Sequence, residues 1–325
     1  MKTIFLLFSP VFICLRALSL QAQDWDTTAT KFWTTHRFER AEIRSSKDKT
    51  LQPAVFRITS AATPQPLLVY LHSWTADYQQ IDSMALIAKE RNWNYIAPNF
   101  RGPGWNPQSC GSEYVIPDID DAIEFMLKNA NVDRQEVHIY GRSAGGHAAM
   151  LAYMKLKYPA KTFSAWVGIS NFIDWYYETG VRKVPQHKQL MIATGDTAKP
   201  NVEEMKKRSP IFQSMPTNRK GARLLLYTGI HDGYVGSVPV TQSINFYNRL
   251  VRETFPKSSS ALVSESDIIE LLTKRAFPKK APEGTQTIDG RQVHYKKQQG
   301  NFSVTVFEGG HEMLINTVLQ TILEK

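Results

Sequence analysis

Hydrophobic and polar positions along this chain switch repeatedly between two periods. Leu67-Leu-Val-Tyr-Leu71, Tyr95-Ile-Ala97, Val137–Tyr140, Phe163–Ile169, Arg223–Gly229 and Phe302–Phe307 are short apolar runs of strand length. Between them Ile81, Met84, Ala85 and Ala88 fall at helical spacing, as do Ile119, Ala122, Ile123, Met126 and Leu127. Asp118, Asp120 and Asp121 put acid into the first turn of the second helix, where the backbone dipole favours it. A further helix-forming run covers Ala148–Lys157. Strands alternating with helices predict an α/β fold with a doubly wound, mostly parallel sheet. Upstream, Ala41–Arg44 and Pro53–Ile58 alternate around the turn-forming Ser45–Thr50, predicting an antiparallel hairpin at the amino-terminal edge of that sheet.

Two stretches break the rhythm. Residues 171–222 hold more chain than one crossover needs and open on Phe172, Trp175, Tyr176 and Tyr177, which predicts a small cap. Residues 252–300, with Ser258–Ser260, Pro278 and Pro282, read as a surface excursion holding one helix, Asp267–Arg275. Met1–Thr3 followed by apolar Ile4–Leu15, with Ala22 before a cleavage point, reads as a signal peptide over 1–22. The remainder, 23–325, is expected to form one domain. The location expected from the signal is secreted or periplasmic, in a bacterium, with no membrane span, since about a dozen apolar residues are too few to cross a bilayer. Cys110 would then be the one cysteine of the mature chain, which excludes an internal disulfide.

The chemistry concentrates where strands end. Val137–Tyr140 runs into Gly141-Arg142-Ser143-Ala144-Gly145-Gly146 and then a helix, so that Ser143 would stand on a sharp strand-to-helix turn. Asp232 follows the strand 223–229 and His311 follows the strand 302–307, which gives the order Ser…Asp…His. Serine needs a base within reach and a third group to hold that base. Ser143 would therefore attack an acyl carbon, His311 would take its proton, and Asp232 would fix the imidazole tautomer. The backbone N–H groups of Ala144 and of Ser73 or Trp74 would hold the oxyanion. Asp174 is the rival acid. His72, His147 and His231 are expected to orient turns or pack, and no His, Asp or Glu cluster has metal-ligand spacing, so no metal or cofactor is expected.

On these motifs the chain resembles the α/β-hydrolase fold, and within it the prolyl-oligopeptidase-like serine hydrolases, a group that includes secreted carbohydrate esterases. The resemblance covers roughly residues 40–325 and implies the catalytic roles just given. Where the family often has His-Gly-Gly, this chain has His72-Ser73-Trp74, and Trp74 is expected to narrow the mouth of the site.

The substrate is less legible. A formal charge of +9, or +7 once Lys2 and Arg16 leave with the signal, favours anionic partners. Nucleic acid is not among them, because no element carries a basic stripe with interleaved aromatics. Arg101 and Arg142 suit a carboxylate, the alternative being internal salt bridges to Glu113 or Asp174. Trp175 and Tyr176 could stack on sugar rings or simply pack the cap. The expected function is therefore a secreted serine carboxylic-ester hydrolase acting on a decorated, acidic polysaccharide of the pectin type, by deacetylation or demethylation. The alternatives are a prolyl-oligopeptidase-type peptidase, whose usual large gating domain has no room here, and a non-catalytic glycan-binding protein.

Overall fold

Every residue from Leu67 to Leu71 of the strand β3 (Gln65–Leu71) is buried, and successive side chains enter opposite sides of the sheet, which sets up the two layers. Leu67, Val69 and Leu71 face one apolar cluster, and Leu68 and Tyr70 face another. Each fully buried leucine contributes about 1.5–3 kcal/mol relative to exposure. The computed structural model describes residues 27–276 and 286–324. The expected signal at 1–22 lies outside the described residues.

The strands around β3 are β1 (Glu39–Arg44), β2 (Leu51–Arg57), β4 (Asn94–Pro98), β5 (Val132–Arg142), β6 (Thr162–Trp166), β7 (Arg223–Gly229), β8 (Thr287–Ile288), β9 (Arg291–Gln299) and β10 (Phe302–Phe307). Their order across the sheet is β1-β2-β4-β3-β5-β6-β7-β10-β9-β8. From β4 to β10 neighbours run parallel. The expected antiparallel hairpin forms one edge, with Arg44 opposite Leu51 and β2 antiparallel to β4.

Helices cover both faces. On the Leu67 side lie α3 (Val115–Asn129), α4 (Ala144–Lys155), α8 (Val240–Thr254) and α9 (Glu265–Lys274). On the Leu68 side lie α1 (Thr27–Thr35), α2 (Ser83–Glu90) and α10 (Ile315–Leu323), with Trp166 stacked on Tyr227 at 4.0 Å between them and the sheet. This is the α/β-hydrolase arrangement. Among the described residues no helix is long and apolar enough to cross a membrane.

The two irregular stretches differ. Residues 171–222 build α5 (Phe172–Val181), α6 (Gln186–Ala193) and α7 (Val202–Arg208). Phe172, Trp175, Tyr176, Leu190, Ala193 and Met205 pack there with Trp74, just beyond β3, and Val238, just beyond β7. This stretch, read from the sequence as a small cap, packs beside chain that leaves the carboxyl ends of β3 and β7. Residues 252–300 are not a surface excursion. Besides α9 they carry β8 and β9, and β9 pairs antiparallel with β10 to extend the sheet. The sequence conceals it because only Val293 and Tyr295 of β9 are buried, while Lys296, Lys297, Gln298 and Gln299 suit an exposed edge.

Candidate active site

Ser143 sits between the end of β5 and the start of α4 with φ 61° and ψ −118°, a left-handed conformation that costs a non-glycine residue energy. What enforces it is crowding. A Cβ on Gly145 would run into the carbonyl oxygen of Leu71, so α4 can lie this close to β3 only with glycine there. The Ser143 N–H donates to the Trp166 carbonyl at 2.9 Å, which ties the turn to β6.

Asp232 and His311 come together as expected. The imidazole Nδ1 lies 2.7 Å from Asp232 Oδ2. Asp232 is 0% exposed, and its Oδ1 accepts the N–H groups of Gly233 and Val238, each at 3.0 Å. With three donors the carboxylate has one orientation, and it holds His311 with Nε2 free for proton transfer. Nε2 faces Ser237 Oγ at 3.5 Å and makes no hydrogen bond to Ser143. Such contacts commonly tighten only when substrate binds. The rival Asp174 is exposed and accepts from Asn171 at 2.8 Å, away from the imidazole.

Of the backbone donors, Ala144 opens α4, and the first N–H groups of a helix have no acceptor inside it. The Ser73 N–H already donates to Gln80 Oε1 at 2.7 Å. Among the described residues the Trp74 N–H has no partner, so of the two it is the one open to a further acceptor. The Trp74 side chain is buried against Trp175, and its Nε1 donates to Gln189 Oε1 at 2.7 Å. It anchors the cap to β3.

The expected substrate contacts are corrected. Arg101 is 4% exposed and closes an internal network. Its guanidinium meets Asp118 Oδ2 at 2.5 Å and Asp48 Oδ2 at 2.7 Å and donates to Ser45 Oγ at 3.0 Å. The partners are thus Asp118 and Asp48, not Glu113 or Asp174. The hydrogen bond from Arg101 holds the Asp48 carboxyl well below the usual range. Arg142 stands opposite Trp166 in register and two residues on from Tyr140, which puts it on the Leu68 face of the sheet. Trp175 is buried, donating from Nε1 to the Ser237 carbonyl at 2.8 Å, and Tyr176 is buried and stacks on His187 at 4.4 Å. Neither offers a face to a sugar.

Three features escaped sequence reasoning. Arg182, on the cap, donates to the Gly233 and Ser237 carbonyls, both at 2.9 Å, and so grips the loop that follows Asp232. Glu178, one turn before it, has its carboxyl pushed up to about 7, first by burial and then by the charges of Asp232 and Asp174, against the pull of Arg182 and Arg275. His231, expected only to orient a turn, meets Glu308 Oε1 at 2.8 Å. As expected, His72 is buried, stacked on Phe100 at 4.0 Å, with burial lowering its affinity for a proton. His147 is likewise buried and stacks on Phe172 at 4.4 Å.

A model of the prolyl oligopeptidase family matches residues 79–264, more than half of the chain, so the chain belongs to that family of serine hydrolases. It is 30% identical over 141 residues to the uncharacterized peptidase YtmA of Bacillus subtilis, covering 42% of this chain and 51% of that one. A puromycin-hydrolyzing peptidase of Mycobacterium tuberculosis superposes with TM-score 0.58 at 15% identity, over 88% of this chain and 37% of its own. The uncomplexed acylaminoacyl peptidase of Pyrococcus horikoshii gives TM-score 0.53 at 17% identity, over 87% and 40%. The chain therefore spans about half the length of its curated relative and less than half of these solved structures. These relatives are peptidases, which overturns the polysaccharide-esterase expectation and the similarity to carbohydrate esterases on which it leaned.

Proposed function

We propose that the protein is a serine peptidase of the prolyl oligopeptidase type, with Ser143 as nucleophile, His311 as general base and acid, and Asp232 as the group that orients His311. The family match over residues 79–264 carries the peptidase reading, and the 2.7 Å bond between His311 Nδ1 and Asp232 supports the roles. Ser143 Oγ adds to the scissile carbonyl as its proton passes to His311 Nε2. The tetrahedral oxyanion is met by the N–H groups of Ala144 and Trp74, and the imidazolium then protonates the leaving amine. Water, deprotonated by the same histidine, releases the acyl group from Ser143.

The substrate is a short peptide or an acylated amino acid amide. A cap closed by Trp74, Trp175 and Arg182 supports a confined mouth, which excludes folded chains more readily than small ones. The amino-terminal basic and apolar run supports export of the protein. The test is a panel of free and blocked aminoacyl and dipeptidyl p-nitroanilides assayed beside acetylated and methyl-esterified polysaccharides. Release of p-nitroaniline without acetate or methanol is the expected result. Turnover of the polysaccharide esters alone would overturn the proposal.

A further inference from the structure

The loop that carries His311 is held from outside the triad. Glu308, three residues before His311, receives His231 Nε2 on Oε1 at 2.8 Å and His294 Nε2 on Oε2 at 2.7 Å. His231 directly precedes Asp232, and His294 lies on β9, with its side chain 7% exposed. One carboxylate thus joins the acid's loop, the base's loop and the edge strand. Its two histidine partners lower its affinity for a proton, His294 most strongly, while its partial burial opposes them.

Backbone bonds run beside the clamp. The His231 N–H donates to the Gly309 carbonyl at 3.0 Å, and the Glu308 N–H donates to the Gln292 carbonyl of β9 at 2.7 Å. On the other flank of His311, Glu312 Oε1 accepts the Gly310 N–H at 3.2 Å, and Glu312 Oε2 pairs with Arg291 of β9 at 3.2 Å. Arg275 reaches the Ile230 carbonyl at 3.4 Å from α9. The strand that looked like surface chain therefore grips the His311 loop on both sides.

We propose that Glu308 is a positioning residue, held by His231 and His294, which keeps His311 in register with Asp232 and Ser143. The proposal rests on the catalytic roles given above. An exposed ion pair alone contributes little to stability. A displacement of the base by about 1 Å, however, costs up to about 100-fold in rate. The effect belongs in kcat, with binding left alone.

The test is the rate at which a fluorophosphonate labels Ser143, with loss of fluoride, alongside kcat and KM on the best p-nitroanilide. The full chain is compared with Glu308→Ala, His231→Ala, His231→Gln and His294→Gln. A glutamine amide can place an N–H near the position of the imidazole Nε2. Labelling and kcat of Glu308→Ala and His231→Ala should fall together, by up to about 100-fold, with KM unchanged and the thermal midpoint kept. The two glutamine variants should stay close to the wild-type protein. Where Glu308→Ala fails to fold, His294→Ala against His294→Gln gives the same contrast. Unchanged labelling of Glu308→Ala, or glutamine variants as slow as their alanine counterparts, would overturn the clamp while leaving the peptidase reading intact. A wild-type protein that is not labelled at Ser143 would overturn the roles on which both rest.

Discussion

The turn at Ser143 and the loop at His311 differ in how far side chains from elsewhere in the chain hold them. At Ser143 the chain is confined by its own backbone, because α4 lies so close to β3 that Gly145 can carry no side chain. At His311 the loop also lies close on Gly229 and takes backbone bonds from His231 and to Gln292, but side chains from elsewhere in the chain add to these, through Asp232, His231 and His294. Steric confinement leaves a local sequence signature, whereas long-range confinement leaves none. The candidate nucleophile could therefore be picked out from ten consecutive residues, while the frame around the candidate base needed the folded chain.

The largest effect that would sharpen this contrast concerns the acid. Asp232→Asn should lower kcat by about 10⁴, as in the worked serine-protease triad, because asparagine presents the wrong partner to Nδ1–H. Asp174→Asn should change it little, since that carboxylate bonds Asn171. Steady-state kinetics of both variants decide the point, and a crippled Asp174→Asn would reverse the assignment.

Next comes Arg101. Its removal leaves Asp118 buried without its partner, the two side chains being only 2% and 1% exposed. Arg101→Gln should cost about 3–5 kcal/mol of stability, the usual penalty for breaking a buried pair. Denaturant unfolding reads the loss, and kcat per folded molecule should be retained. A smaller loss accompanied by a raised KM would return Arg101 to the substrate.

Gly145→Ala tests the crowded turn itself. Overpacking a site this tight costs about 1–3 kcal/mol, and labelling of Ser143 should be lost with it. Full activity in this variant would mean that backbone crowding does not hold the turn.

The smallest effect is one of pH. Asp82 caps α2 and is buried, accepting from Tyr140 at 2.6 Å and from Tyr95 at 3.2 Å. Burial pushes its carboxyl up to about 6, so the folded chain holds that proton more tightly than the unfolded one. This contribution is complete below the unfolded value of about 3.9 and is lost as pH rises through about 6. Relative to Asp82→Asn, the wild-type protein should lose about 2 kcal/mol between roughly pH 4 and 7. A stability difference that is flat across that window would contradict it.

Much of the fold was legible because its strands are buried on both faces and read as continuous apolar runs, such as Leu67–Leu71. The amino-terminal hairpin was legible too, from its alternation, and surplus chain marked 171–222 as more than one crossover. β9 was hidden because one buried edge face, Val293 and Tyr295, is too short a signal among lysines and glutamines. Within the site, the partners that decided each case lay elsewhere in the chain. Arg101 depends on Asp48, 53 residues away, and the Ser73 N–H is taken by Gln80, seven residues on. The aromatic run at 172–177 looked like a platform, yet Trp175 and Tyr176 turn inward because α5 needs an apolar face against Trp74. Substrate class suffered most, since a basic surface and aromatic residues fit glycans and peptides alike.

The central claim is that Ser143 cuts peptide bonds. It is tested most directly by Ser143→Ala on the p-nitroanilide that the wild-type protein turns over fastest. Turnover should fall to the uncatalysed background while the thermal midpoint stays unchanged, since the hydroxyl contributes little packing. Residual activity within about tenfold of the wild-type protein, where loss of a triad member ordinarily costs many orders of magnitude, would place the nucleophile elsewhere.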